Sequence, residues 1–72
     1  MSALRSIGVD VWKISAPGLP DLLTCSRGKW LPIEVKKPRG KLTPAQQATR
    51  KQSPFPVVET VDQALALFGV SA

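Results

Sequence analysis

Apolar residues along this chain fall in short runs separated by turn-forming residues. "GVDVWKIS", Gly8–Ser15, is rich in β-branched and aromatic residues and stops at the breaker "APGLP", which predicts a first strand. "DLLTC", Asp21–Cys25, is a second run, closed by "SRGK", where Ser26 and Gly28 supply turn chemistry. A hairpin into "WLPIEVKK" follows from that pairing. Pro32 lacks an N–H for a ladder and belongs at a strand start, a bulge or an edge, so the regular part of the third strand is expected from about Ile33 to Lys37.

"PRGK", Pro38–Lys41, breaks that strand, and several signals then agree on a helix start. Thr43 is an N-cap residue, Pro44 sits at the first helical position where its missing N–H costs nothing, and Gln46 completes a T-x-x-Q capping box. The helix is expected to run to about Gln52, where "SPFP" ends it. "VVET" reads as a fourth strand. Thr60 and Gln63 form a second capping box, and Ala64, Leu65, Leu67 and Phe68 give a last helix an apolar face before a stop at Gly69. The order βββαβα predicts an α+β (α/β) domain over residues 1–72, a small mixed β-sheet with two helices packed on it.

Composition narrows the function. A chain of 72 residues buries only roughly 60% of its unfolded surface, so its core is thin. A single cysteine, Cys25, excludes an internal disulfide, and the absence of histidine removes the usual ligands of a structural zinc site. Self-association is one remaining source of stability. No apolar stretch approaches the ~20 residues of a membrane span and no signal-peptide pattern opens the chain, so a cytoplasmic location is expected. A net charge of +5, with Arg27, Lys29, Lys36, Lys37, Arg39, Lys41, Arg50 and Lys51 all central, points to a polyanionic partner.

Between Val11 and Val58 only two carboxylates interrupt those cations, Asp21 and Glu34, each beside an apolar run. Side chains alternate along a strand, so Ile33 and Val35 point to one face and Glu34 and Lys36 to the other. If "DLLTC" pairs with this strand, Asp21 approaches Glu34 from the neighbouring one. Two acids and a lysine then share a patch suited to a hard divalent cation, Mg2+ or Mn2+, with the Val35 carbonyl as a third oxygen and Lys36 near the ion's water. Blander roles compete. Asp21 can be a turn residue, Glu34 half of a surface pair with Lys29 or Lys41, and Gln46 a capping residue, its side chain serving the cap or the site but not both fully. Lys37, Arg39 and Lys41 form either a solvated loop or a phosphate-contacting one. Trp12 and Trp30 are expected in the core or in a dimer contact rather than as base-stacking platforms, and Cys25 as a small buried hydrophobe.

"PD", Pro20-Asp21, followed by "EVK", Glu34–Lys36, matches the PD-(D/E)XK nuclease pattern, a short and unspecific string by itself. The longer strings "GLPDLL" and "PIEVKKPRGKLTPAQ" resemble the VRR-NUC family of phage, bacterial and eukaryotic nucleases, and "PVVETVDQALALF" resembles that family's closing strand and helix. The resemblance spans about Gly8 to the end. It implies a restriction-endonuclease-like core, Mg2+- or Mn2+-dependent hydrolysis of DNA phosphodiesters, a homodimer, and branched or Holliday-junction-like DNA as substrate. By position it makes Asp21 and Glu34 metal ligands, Val35 a carbonyl ligand, Lys36 the catalytic lysine and Gln46 a residue near the active site. Beside such a site the charge run Lys37, Arg39 and Lys41 is expected to contact DNA phosphates.

The family's first helix carries an acidic residue near the metal, whereas Met1–Ser6 is too short for that helix and holds no Asp or Glu. Asp10, the first acid, lies in the first-strand region. A partner chain supplying the helix, a truncated form and lost activity are all open. A missing helix leaves one sheet face bare, which favours dimerisation. The alternative to an endonuclease is a nuclease-derived DNA-binding module without chemistry, and a third reading is a small basic structural protein that pairs through its sheet.

Overall fold

Arg27 and Gly28 both adopt positive φ, 53° and 77°, and form the two-residue turn whose twist suits a β-hairpin. Their turn joins β2, Leu22–Ser26, to β3, Lys29–Val35, with Ser26 opposite Lys29 and Leu22 opposite Ile33. On the other side of β2 runs β1, Asp10–Lys13, also antiparallel, with Asp10 opposite Cys25 and Lys13 opposite Leu22. β4, Val57–Val58, pairs parallel with the end of β3, Glu34 opposite Val57. The computed structural model describes residues 1–70, a four-stranded mixed sheet in the order β1-β2-β3-β4.

Pro32 is tolerated in a strand that is central by order. The Glu34 and Lys36 N–H groups donate to Pro56 and Val58 carbonyls at 3.0 and 2.9 Å, so even positions of β3 face β4. β4 does not extend as far as Pro32, whose missing donor therefore faces an unpaired stretch. Locally, β3 is an edge there.

Helix α2, Pro44–Gln52, has the predicted start and end: Thr43 accepts from the Gln46 N–H, Gln46 accepts from the Thr43 N–H, and Pro44 sits at N1. In α3, Val61–Ala66, the box is shifted. Thr60 accepts from the Gln63 N–H at 3.1 Å, but the Gln63 side chain accepts from the Glu59 N–H rather than from Thr60.

The helix count differs from the expected two. Ser2–Ser6 forms α1, a short third helix, and its Leu4 has no exposed surface. Leu4 joins Val9, Val11, Leu22, Ile33, Val58 and Ala64 in the core, so α1 and α3 close the face carrying the odd positions of β1 and β3. Five residues suffice because one fully buried leucine contributes about 1.5–3 kcal/mol and the Arg5 guanidinium ties the segment to the Val11 carbonyl at 3.1 Å. The Ile14 N–H reaches the Asp21 carbonyl, so in the alternation of β1 the Val11 carbonyl faces the outer edge, which Arg5 blunts. Thr24, the buried polar residue of this face, is satisfied by donating to the Leu31 carbonyl at 2.7 Å.

The tryptophans are not in the core. Trp12 and Trp30 are exposed and stack on each other, and Cys25 is half-buried rather than buried.

Candidate functional site

β2 and β3 pair in a register that, continued one step past Leu22 and Ile33, sets Asp21 opposite Glu34. Residues directly opposite share a face, and Lys36 lies on it as well, two positions on. The structure thus brings Asp21, Glu34 and Lys36 together on the sheet face turned away from the Leu4 core. Chain direction at this end is set by the loop after β1, whose Gly18 (φ 80°) passes so close to α2 that an added Cβ would lie 3.2 Å from the Thr49 hydroxyl and 3.4 Å from the Ala45 carbonyl.

Glu34 has no exposed surface. Its Oε1 accepts from the Asp21 backbone N–H at 2.9 Å and from Gln46 Nε2 at 3.0 Å. Lys36 Nζ lies 3.0 Å from Oε2, so the ion partner is Lys36, not Lys29 or Lys41. That ammonium is at ion-pair distance but misses hydrogen-bond geometry, and no other donor among the described residues reaches Oε2. Oε2 thus keeps a lone-pair direction that no hydrogen-bond donor of the described residues fills, although the Lys36 ammonium compensates its charge.

Gln46 bonds to the cap and to Glu34 together, against the expectation that it would not serve both fully. Its amide oxygen caps α2 at Thr43, while its nitrogen donates to Glu34 and, at 3.3 Å, to the Leu19 carbonyl. The two ends of one amide hold α2, the loop before β2 and β3 in place.

Asp21 is exposed and lies between two open depressions of about 520 and 490 Å3, the first shared with Gln46 and the second with Val35. Partial desolvation and the neighbouring Glu34 carboxylate raise its pKa above the ordinary aspartate value, while Lys36 and the Val35 N–H pull it down. Val35 itself faces this side: its neighbours Glu34 and Lys36 turn their N–H groups to β4, so its own N–H and carbonyl turn toward the β2 side. In continued register the residue opposite Val35 is Pro20, which has no N–H to give. Pro20 is a residue the sequence reading did not assign; the signal was the register sum, which needs only the turn position.

The orphan Oε2, the Asp21 carboxylate and the Val35 carbonyl are a hard oxygen set that fits Mg2+ or Mn2+, ions commonly held by one or two carboxylates plus waters and substrate phosphate. No group of three or more His, Cys, Asp or Glu residues lies together among the described residues, so protein carboxylates alone do not complete such a shell. α1 contains no acid. Lys37, Arg39 and Lys41 are exposed in the loop between β3 and α2; Arg39 has φ 68°, a strained value for a residue with a side chain. Among the described residues no helix is long and apolar enough to cross a membrane. Comparison with known protein families, characterised proteins and solved structures returns no match to this chain.

Proposed function

We propose that this chain is a metal-dependent endonuclease of the VRR-NUC kind, with a restriction-endonuclease-like core, that hydrolyses phosphodiesters of branched, Holliday-junction-like DNA. One observation carries the reading: a carboxylate buried completely, with one oxygen lacking a hydrogen-bond donor, on the same sheet face as a second carboxylate and a lysine. Asp21, the Glu34 Oε2 and the Val35 carbonyl would hold Mg2+ or Mn2+. Bound there, the ion supplies a Lewis acid for the phosphodiester and a water of lowered pKa.

The chain's own residues divide the remaining work. Gln46 fixes the Glu34 carboxylate by its donor at 3.0 Å, so the free oxygen keeps its direction. Lys36 is 23% exposed in its side chain and pivots between Glu34 and an incoming phosphate, whose developing charge it offsets. Lys37, Arg39 and Lys41 contact the DNA backbone and position it without reading sequence. The proposal includes a cytoplasmic homodimer, checked by solution mass.

Purified protein is expected to cleave branched DNA with Mn2+ or Mg2+, to stop with chelator, and to lose cleavage in Glu34→Ala with the fold intact by circular dichroism. A Glu34→Ala variant that cuts as well as the parent would show the site to be elsewhere. The second reading, a DNA-binding module without chemistry, is favoured by the acid-free α1 and by the pair of carboxylates standing without a third. Manganese calorimetry separates them: heat that disappears in Asp21→Asn and Glu34→Gln supports the enzyme, and no heat supports the module.

A further inference from the structure

Trp12 and Trp30 stand on the same sheet face as Glu34. In register, Trp12 lies opposite Leu23 and Leu23 opposite Pro32, while Trp30 lies opposite Cys25, so the two indoles rise from β1 and β3 on either side of β2. Their ring centroids are 5.4 Å apart with planes 30° from parallel. They are 48% and 59% exposed, although tryptophan is on average a well-buried residue and this chain has few large side chains to spare for a core. Leu23, at the level of Trp12, is two residues from Asp21 along β2, a rise of about 6.6–6.8 Å. Trp30 is four residues from Glu34 along β3.

We propose that Trp12 and Trp30 form a stacking platform for one or two bases of an unpaired DNA strand that runs into the Asp21–Glu34–Lys36 site. This rests on the nucleic-acid reading above and names the part of the substrate that the exposed end of the face receives. Cations flank the indoles at both ends. Lys36 and the loop cations Lys37, Arg39 and Lys41 lie at the carboxylate end, while Arg27 and Lys29, at the hairpin turn, share a depression with Trp30 and outnumber Asp10, which lies opposite Cys25 at that end. Phosphates are attracted on either side, while the indoles between them accept any base by its π-face. Paired bases in a duplex keep those faces covered by their neighbours, so the platform selects unpaired nucleotides.

A second copy of the chain is the competing occupant. At the exposure given above, two tryptophans offer about 160–270 Å2 of aromatic surface. A stable dimer face needs about 800 Å2 per partner. The indole pair by itself matches a base or two, and a subunit would have to cover surface beyond it, such as the depression that Trp30 shares with Ile7 and Leu67.

The chain has two tryptophans and no tyrosine, so its intrinsic emission reports on this pair. With chelator present throughout, full-length protein is titrated with a thymidine oligomer of about eight nucleotides and with a blunt duplex of the same length. Saturable quenching by the single strand is expected, with the duplex at least about tenfold weaker as a quencher. Trp12→Ala and Trp30→Ala should each lower single-strand affinity about tenfold and leave duplex affinity within about twofold. Shielding of the parent's emission from iodide by the oligomer is a second readout that needs no variant.

Equal quenching by duplex, unchanged affinity in both variants, or no shielding overturns the platform. So does emission that changes with protein concentration in the absence of DNA, the mark of a second copy on this face. Failure of the nuclease reading looks different: quenching by the oligomer in a chain that never cuts with Mn2+ keeps the platform and removes the enzyme, and cutting without quenching does the reverse.

Discussion

Ile33 and Glu34 stand next to each other in β3, both without exposed surface, and are buried by opposite means. Ile33 faces Leu22 and the cluster of Leu4, Val11, Val58 and Ala64, where exclusion of water contributes about 25 cal/mol for each Å2 of apolar surface. Any apolar neighbour of suitable volume does this work. Glu34 instead gives up its hydration, a cost of several kcal/mol for an ion unless partners replace the water. Those partners are directional and come from far apart in the chain: the Asp21 N–H, Gln46 and Lys36. The odd face is closed by surface area and the even face by aimed donors, with Oε2 held by the Lys36 ammonium alone, at ion-pair distance.

The largest effect expected is on the odd face. Ile33→Ala should cost about 2–5 kcal/mol in urea unfolding, a large share of the stability of a chain this size. Glu34→Gln should cost only about 1 kcal/mol, because Lys36, partly exposed, can return its ammonium to water. The contrast between the faces breaks if the two substitutions destabilise equally, since Glu34 would then be a structural residue.

Gln46 tests whether cap and site are separable. Gln46→Ala should lose about 1–2 kcal/mol, the cap bond together with the donor to Glu34. Gln46→Glu keeps a capping acceptor but sets a carboxylate against Glu34 Oε1. Like charges raise the pKa of such a pair, so the folded variant binds more protons than the unfolded chain and loses stability as pH rises. Thermal melts at pH 4 and pH 7 should therefore place its deficit mainly at the higher pH.

A smaller effect is expected in the cationic loop. Arg39→Gly relieves a left-handed backbone and should gain up to about 1 kcal/mol, while DNA affinity falls and the salt slope shrinks by about one. Gly40→Ala should act in the other sense on stability, because its Cβ would lie 2.8 Å from the Lys37 carbonyl. Greater stability without loss of DNA affinity in Arg39→Gly would remove that arginine from the interface.

The smallest effect concerns Asp21. Its pKa in the folded chain is raised above 3.8, so between that value and the raised one the folded state holds more protons than the unfolded. Stability should fall slightly as pH rises through this window, and Asp21→Asn should flatten the dependence. A slope of opposite sign would mean that the Lys36 attraction outweighs partial desolvation and the Glu34 charge.

What was readable in the sequence has a common character. The turn in "SRGK", the Thr43–Gln46 box and the breaks at "APGLP" and "SPFP" rest on bonds and clashes within a few residues, although the sequence placed the turn on Ser26 and Gly28 and the structure on Arg27 and Gly28. The nearness of Asp21 to Glu34 was conditional on one of them. Once the turn is at Arg27 and Gly28, the pairing of every later residue in β2 and β3 is determined, and Asp21 falls opposite Glu34. Less was legible of α1, whose five residues are too few to form a helix by themselves and are held by Leu4 in a core assembled elsewhere. The tryptophans were expected in the core or in a dimer contact because their strands are apolar, but parity puts them on the face that α1 and α3 do not cover.

The sequence by itself determined the order of elements from the first strand onward and the hairpin joining β2 to β3, since each depends on short-range backbone chemistry. Only the tertiary structure decided that Glu34 is buried, that the two ends of the Gln46 amide are divided between Thr43 and Glu34, and that two indoles remain in water. Those outcomes depend on where α2 and the loop before β2 come to rest against the sheet. That placement sums many weak contacts between distant segments, and no local string of residues encodes it.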